Sequence, residues 1–252
     1  MNRHNAFTQA LRGHAHPFIC ALDPFKLSVG DIVQRLQYLE THGATAAIIA
    51  STDDELYDTT VPSLLTQLRS RVGLRLIEHF RPHPQHGFRR ACSANYVLMT
   101  TVANSQSPLY AGGDSATFGA RERAEGRLIA SRALVFGTDQ KSAHYVQARY
   151  LPDDNAEQLR NYLTAAAHAS DVYYLFSRAR KLSPDTISAA RDILGAEVPI
   201  IVSGCIRTPD DLQEAIASGA TYVVIGSLLE LGDWRQRLTP LLAAGHALRA
   251  GG

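Results

Sequence analysis

Nothing in the sequence runs for the ~18 consecutive apolar residues that a membrane-spanning helix requires. The opening MNRHNAFTQALRG also lacks the apolar stretch of a secretory signal. A cytoplasmic protein without a stable membrane anchor is expected. Cysteine is scarce: Cys20, Cys92 and Cys205 make an odd count with no CxxC pair. That argues against a disulfide framework and for a reducing compartment. No sign of charge prevails, since 25 Lys and Arg face 24 Asp and Glu for a net charge of +1. A global basic field for nucleic acid is therefore excluded, and any cationic site has to be local. Repeats, low-complexity tracts and linkers are missing as well. With 252 residues, 45% of them hydrophobic, one domain over 1–252 around a sizeable core is expected.

What is present is a rhythm. Short runs rich in Val, Ile and Tyr alternate with segments of helical spacing. The strand candidates are FICALD (18–23), AAIIAS (46–51), LRLIEHF (74–80), YVLMTTV (96–102), RALVFG (132–137), VYYLFS (172–177), VPIIVSG (198–204) and YVVIGS (222–227). Eight strands in this length predict a single (β/α)8 TIM barrel. Between them, SVGDIVQRLQYLETHGA reads as a helix from Ser28 to a stop at Gly43, and TPDDLQEAIASGA as one capped by Thr208 and ended by Gly219. The stretch between strands four and six is irregular, and HYVQARYLP within it is strand-like but unassigned.

In such a barrel the reacting groups gather at the strand C-terminal ends. Those ends carry Asp23; Ser51, Thr52 and Asp53; Glu78 and His79; Asn104 and Ser105; Ser177 and Arg178; Ser203 and Gly204; Gly226 and Ser227. The pair VSGCIR and VIGSLLE after strands seven and eight is the strongest local signal. Small residues there let backbone N–H groups reach an anion, so a phosphate site is expected. Across the mouth, Asp23 and Thr52 with Asp53 beside them suit Mg2+, which takes few protein oxygens and completes its shell with substrate phosphates. Asp23 could equally be a turn or cap residue, and the residues alone leave both open. His79, His83 and His86 are broken up by prolines and read as a loop rather than a zinc site. His14 and His16 read as connection residues, and Cys205 as a small filler in the anion loop.

The order LDPFK, ASTD, TTVANS, YYLFS, VSGCIR, ATYVVIGS, from about residue 18 to 230, resembles the geranylgeranylglyceryl phosphate synthases and their bacterial heptaprenylglyceryl phosphate relatives. These are (β/α)8 prenyltransferases with motifs of the form LDPxK, GGTD, VLNS, YLE, GGGI and GN. The resemblance implies Mg2+ near Asp23 and Thr52, holding the diphosphate of a polyprenyl donor. It implies that Ser203, Gly204, Gly226 and Ser227 hold the acceptor's phosphate, with Tyr174 lining the site; Asn104 and Ser177 fall within the matched motifs. Asp23, Asp53 and Arg178 are the residues expected to carry catalysis.

The departures are informative. The glutamate of YLE, which in the family binds the glycerol hydroxyls, is Phe176 here, and Phe cannot bind a diol. Beyond it come Arg178, Arg180 and Lys181. A pocket that loses an acid and gains cations suits a more negatively charged acceptor. The expectation is farnesyl transfer from its diphosphate to the 2-hydroxyl of 3-phosphoglycerate. That chemistry belongs to the family's offshoot in moenomycin-type phosphoglycolipid antibiotic biosynthesis. The alternative keeps glycerol 1-phosphate as acceptor. Readings of other classes are a non-catalytic phosphate-binding barrel and an isomerase, for which only Glu78 and Asp53 could serve as acid and base. A homodimer is expected.

Overall fold

The computed structural model describes residues 5–51, 57–80, 93–111, 115–137, 146–152, 155–164, 170–177 and 180–250. Eight parallel strands close into a barrel in chain order: β1 Phe18–Leu22, β2 Ala46–Ile49, β3 Arg75–Phe80, β4 Tyr96–Val102, β5 Leu128–Val135, β6 Val172–Phe176, β7 Ile200–Ser203 and β8 Tyr222–Ile225. Closure comes from β1 pairing with β8, Ile19 opposite Val224. The described helices are α1 Ala6–Ala10, α2 Val29–Thr41, α3 Tyr57–Arg69, α4 Pro108–Ala111, α5 Ser115–Ala124, α6 Ala156–Thr164, α7 Pro184–Leu194, α8 Pro209–Ala217 and α9 Trp234–Ala250, with a 3-10 turn at Ser227–Glu230. No described helix is long and apolar enough to cross a membrane.

The period of two along each strand divides the core. Phe18, Cys20 and Leu22 of β1, Tyr173 and Leu175 of β6, and Val223 and Ile225 of β8 face outward, where Ile32, Leu36 and Leu39 of α2 and Leu238 and Leu241 of α9 cover them. Ile19, Ile48, Ile77, Leu98, Ile129, Val172, Tyr174 and Ile201 fill the interior. Burial of this kind contributes about 25 cal/mol per Å2 of apolar surface, which makes the two layers the main source of stability. The N-terminal end of the barrel is closed by α1. Phe7, Ala10 and Leu11 join the interior cluster, Phe7 meets Tyr222 edge-on at 5.6 Å, and Asn5 Nδ2 donates to Asp171 O at 2.9 Å.

Local chemistry sets the ends of the helices. Ser28 Oγ accepts from Asp31 N at the start of α2, and Gly43, with φ of 86°, makes the left-handed turn beyond it. Thr208 and Asp211 form a reciprocal capping box on α8. One reading needs correction: β5 begins at Leu128, four residues before RALVFG, because the LIAS segment pairs in full register with β4. The run HYVQARYLP, unassigned from sequence, contributes over its described residues one antiparallel bridge, Ser105 to Ala148, beside β4.

Candidate active site

A cavity of ≈ 270 Å3 opens among the strand C-terminal ends, and seven of the expected residues line it: Asp23, Tyr174, Ser177, Ser203, Gly204, Gly226 and Ser227. They arrive there because their strands end at one rim, as parallel closure requires. Thr52, Asp53, Arg178, His83 and His86 lie outside the described residues. Asn104 takes a different role. Its amide donates to Val135 O (2.7 Å) and Arg149 O (2.9 Å) and accepts from Val135 N (3.1 Å), so it ties β5 to the chain after it and does not line the cavity. Glu78 is fully buried on the helix-facing side of β3, between outward Leu76 and Phe80, and is not among the lining residues either. An acid–base pair of Glu78 and Asp53 across the cavity is therefore not built.

The anion end is defined by backbone and hydroxyls. Gly204 has φ of 135°, and a Cβ there would sit 2.4 Å from Ser177 O and 2.7 Å from Arg180 O. Only glycine lets the loop after β7 close onto the loop after β6. Cys205 follows at φ 54°. Ser177 Oγ and Ser203 Oγ are buried at this end without a hydrogen-bond partner among the described residues. Buried hydroxyls are normally satisfied, and two together at a cavity wall mark the place of a ligand. Beside them, after the neighbouring strand β8, the 3-10 turn begins at Gly226 with no side-chain cap. Gly226 has open room, its nearest neighbour being Ala21 O at 3.5 Å from an added Cβ. This turn is gripped from behind by Arg35 of α2, only 4% exposed. Arg35 Nε donates to Leu229 O at 2.6 Å, its Nη1 reaches Asp31, and its guanidinium lies 5.0 Å from the Trp234 ring.

Asp23 stands beside that turn. Its Oδ1 accepts from Phe25 N (3.0 Å), which fixes the carboxylate, and Oδ2 lies 3.9 Å from Lys26 Nζ. Lys26 in turn donates to both oxygens of Glu230, at 2.8 and 2.9 Å. Lys26 stands in the sequence only as the last residue of LDPFK, without a role of its own, and nothing there singles out Glu230; the two are joined only by barrel closure. Among the described residues no cluster of three His, Cys, Asp or Glu could hold a metal alone. One oriented carboxylate at a cavity rim fits Mg2+ shared with substrate oxygens, and does not fit a site built wholly by protein.

The wall from β3 to β5 is mainly apolar, with Phe80, Val102, Ala133 and Val135, joined by Tyr110 and Val146. His79 and Thr100 on this wall bond to each other at 3.0 Å. Tyr174 and Phe176 both point inward and meet edge-on at 5.8 Å. Burial pushes the Tyr174 hydroxyl up to about 12, and Ser203 nearby opposes this in part, though the two oxygens do not meet in hydrogen-bonding geometry. Tyr174 therefore stays a neutral phenol at physiological pH. Of the cations after β6, Lys181 is committed elsewhere, to Asp211 (3.0 Å) and Glu214 (2.7 Å) of α8. Neither Lys181 nor Arg180 lines the cavity.

Fold and site together define a (β/α)8 barrel whose cavity pairs an oriented aspartate with small-residue loops after β7 and β8. No model of a known protein family matches the chain. It is similar to geranylgeranylglyceryl phosphate synthases. With that of Metallosphaera sedula it shares 29% identity over 141 residues, 54% of this chain and 56% of the relative. With that of Methanopyrus kandleri it shares 25% over 224 residues, 87% and 91% of the two chains. The chain thus spans about half the length of the first of these relatives and nearly all of the second. In structure it is similar to (S)-3-O-geranylgeranylglyceryl phosphate synthase from Thermoplasma acidophilum, solved with sn-glycerol-1-phosphate: TM-score 0.79, 17% identity, 95% of this chain and 96% of that one. At that identity the likeness concerns the fold.

Proposed function

We propose that the protein is a prenyltransferase that moves a polyprenyl group from its diphosphate to a hydroxyl of a phosphorylated three-carbon acceptor, forming an ether. The observation that carries this is the convergence of Asp23 with the orphaned Ser177 and Ser203 hydroxyls in one cavity that also has an apolar wall. Two neighbouring anion sites at one rim, with an apolar wall to receive the hydrocarbon tail, are what such a reaction needs. Ser177, Ser203 and the backbone at Gly204 and Gly226 would hold the acceptor's phosphate. Asp23, with Thr52, would hold Mg2+ on the donor's diphosphate; when bound, Mg2+ neutralises charge on that leaving group. The chain's own task is positioning: fixing the acceptor hydroxyl beside the prenyl C1 and keeping water from the apolar wall. Asp53 and Arg178 are assigned to the same machinery from sequence.

For the acceptor, the similar proteins favour glycerol 1-phosphate, the reading set second in the sequence analysis, over farnesyl transfer to 3-phosphoglycerate. One observation favours the latter: Phe176 faces the cavity from the position of the family's diol-binding glutamate. If 3-phosphoglycerate binds, Arg178 is the candidate for its carboxylate among the three cations after β6, because Arg180 and Lys181 do not line the cavity. Product analysis with farnesyl and geranylgeranyl diphosphates, Mg2+, and each acceptor in turn tests both readings. Ether formation with glycerol 1-phosphate is the expected outcome. Exclusive use of 3-phosphoglycerate, lost in Arg178→Ala, would transfer the assignment to the second reading, and no product with any pair would sink prenyl transfer. Asp23→Ala is expected to lower turnover at least ~100-fold with either acceptor, measured as initial rates at saturating Mg2+.

A further inference from the structure

We propose that Lys26 is a ligand of the donor's diphosphate and that Glu230 is its built-in counter-ion in the empty cavity, displaced when the diphosphate arrives. This rests on the prenyl-transfer reading, and it concerns two residues that the reading itself does not need.

The geometry is that of one ammonium shared by two carboxylates. Lys26 Nζ lies 2.8 and 2.9 Å from the Glu230 oxygens and 3.9 Å from Asp23 Oδ2, and all three side chains line the cavity. Lys26 sits at the end of a turn closed by Lys26 N donating to Asp23 O at 3.2 Å, so its ammonium is tethered to the carboxylate expected to face the donor. Yet its direct partner is Glu230, 204 positions away on the 3-10 turn after β8. Before Mg2+ and the donor arrive, the cluster of Asp23, Lys26 and Glu230 carries an excess of one negative charge, which the departure of Glu230 removes. A lysine 39% exposed and a glutamate 25% exposed form a pair that water competes with well, so opening it costs little. A diphosphate offers the ammonium several charged oxygens in exchange for two. Glu230, released, can turn to solvent, because it ends its turn at the rim rather than in the core.

Calorimetric titration of the full chain with pyrophosphate in Mg2+ buffer tests this without relying on turnover. Wild type, E230Q, K26M and the double variant would be compared; E230Q keeps the size of the side chain. E230Q is expected to tighten pyrophosphate binding about 3- to 10-fold, since the cost of keeping Lys26 occupied is removed. K26M is expected to weaken it about tenfold or more, and E230Q in the K26M background to have little further effect. If E230Q weakens binding or leaves it unchanged, Glu230 holds Lys26 in its working pose or is a bystander, and the counter-ion proposal is wrong while prenyl transfer stands. Unchanged binding by K26M overturns it equally. A wild-type protein that binds no pyrophosphate at millimolar concentration overturns both this proposal and the donor reading beneath it.

Discussion

The two buried serines give the sharpest residue-level test. Ser177 Oγ and Ser203 Oγ make no hydrogen bond among the described residues, so removing either hydroxyl breaks no bond of the fold, and at Ser203 the Tyr174 hydroxyl loses only a polar neighbour. Ser177→Ala and Ser203→Ala are expected to keep or slightly raise the melting temperature. Each should weaken binding of the phosphorylated acceptor about tenfold, as one hydrogen bond to a charged group is lost. A drop in stability with unchanged affinity would show the hydroxyls to be structural. The glycines divide in the same way. At Gly204 an added Cβ runs into Ser177 O, and Gly204→Ala is expected to destabilise the fold by about 2–4 kcal/mol in urea titrations. At Gly226 the room is free, so Gly226→Ala should fold normally and fail chiefly in phosphate affinity. The anion loops were legible because small residues straight after strands are a local pattern. Asn104 misled because a motif gives a position but not the hydrogen bonds its amide has already made. The pairing of Lys26, the lysine of LDPFK, with Glu230 escaped because nothing local connects residues 204 positions apart.

At the scale of elements, the 3-10 turn Ser227–Glu230 deserves the most experimental weight. Its carbonyl end is fixed by the nearly buried Arg35 of α2, while Gly226, Ser227 and Glu230 line the cavity. Arg35 thus acts as a positioning residue for a turn belonging to the opposite end of the chain. Arg35→Met is expected to raise KM for the acceptor about five- to tenfold with kcat little changed, because Gly226 and Ser227 lose the support of their turn. A merely structural role would lower the melting temperature and leave the acceptor's KM alone. Sequence periodicity found α2 and α8 with their caps, since Ser28 and Thr208 announce those ends locally. It placed the start of β5 late, because LIAS is a weaker apolar run than RALVFG and is recruited by pairing with β4. It did not foresee α1, whose five residues make a helix only by packing on the barrel floor.

For the whole molecule, the histidines near that floor predict how stability depends on pH. His16 is fully buried, stacked on Phe18 at 4.8 Å and 4.4 Å from the His246 ring, and donates through Nε2 to His42 O at 2.6 Å. Burial, with the neighbouring histidines adding to it, pushes its pKa down to about 4, and His14 is lowered as well, again chiefly by burial. The unfolded chain, with histidine near 6.5, then takes up these protons first. Stability should therefore be full above about pH 6.5, fall as pH drops towards 4, and level off below that for this group. For His16 the loss is about 3 kcal/mol, measurable as urea midpoints at a series of pH values; His16→Gln should flatten the slope. Eight-strand closure was legible because the count and spacing of apolar runs admit few other architectures. How the loops meet across it was not, since closure brings β1 beside β8 with no trace in either segment.

The floor laid by Phe7, Ala10 and Leu11 has one more consequence. A barrel stoppered at its base admits nothing from that end, so among the described residues the way to the apolar wall is from the rim of strand C-terminal ends. Under prenyl transfer, the long-tailed product and a fresh donor would contend for that entrance, and the product should inhibit competitively against the donor.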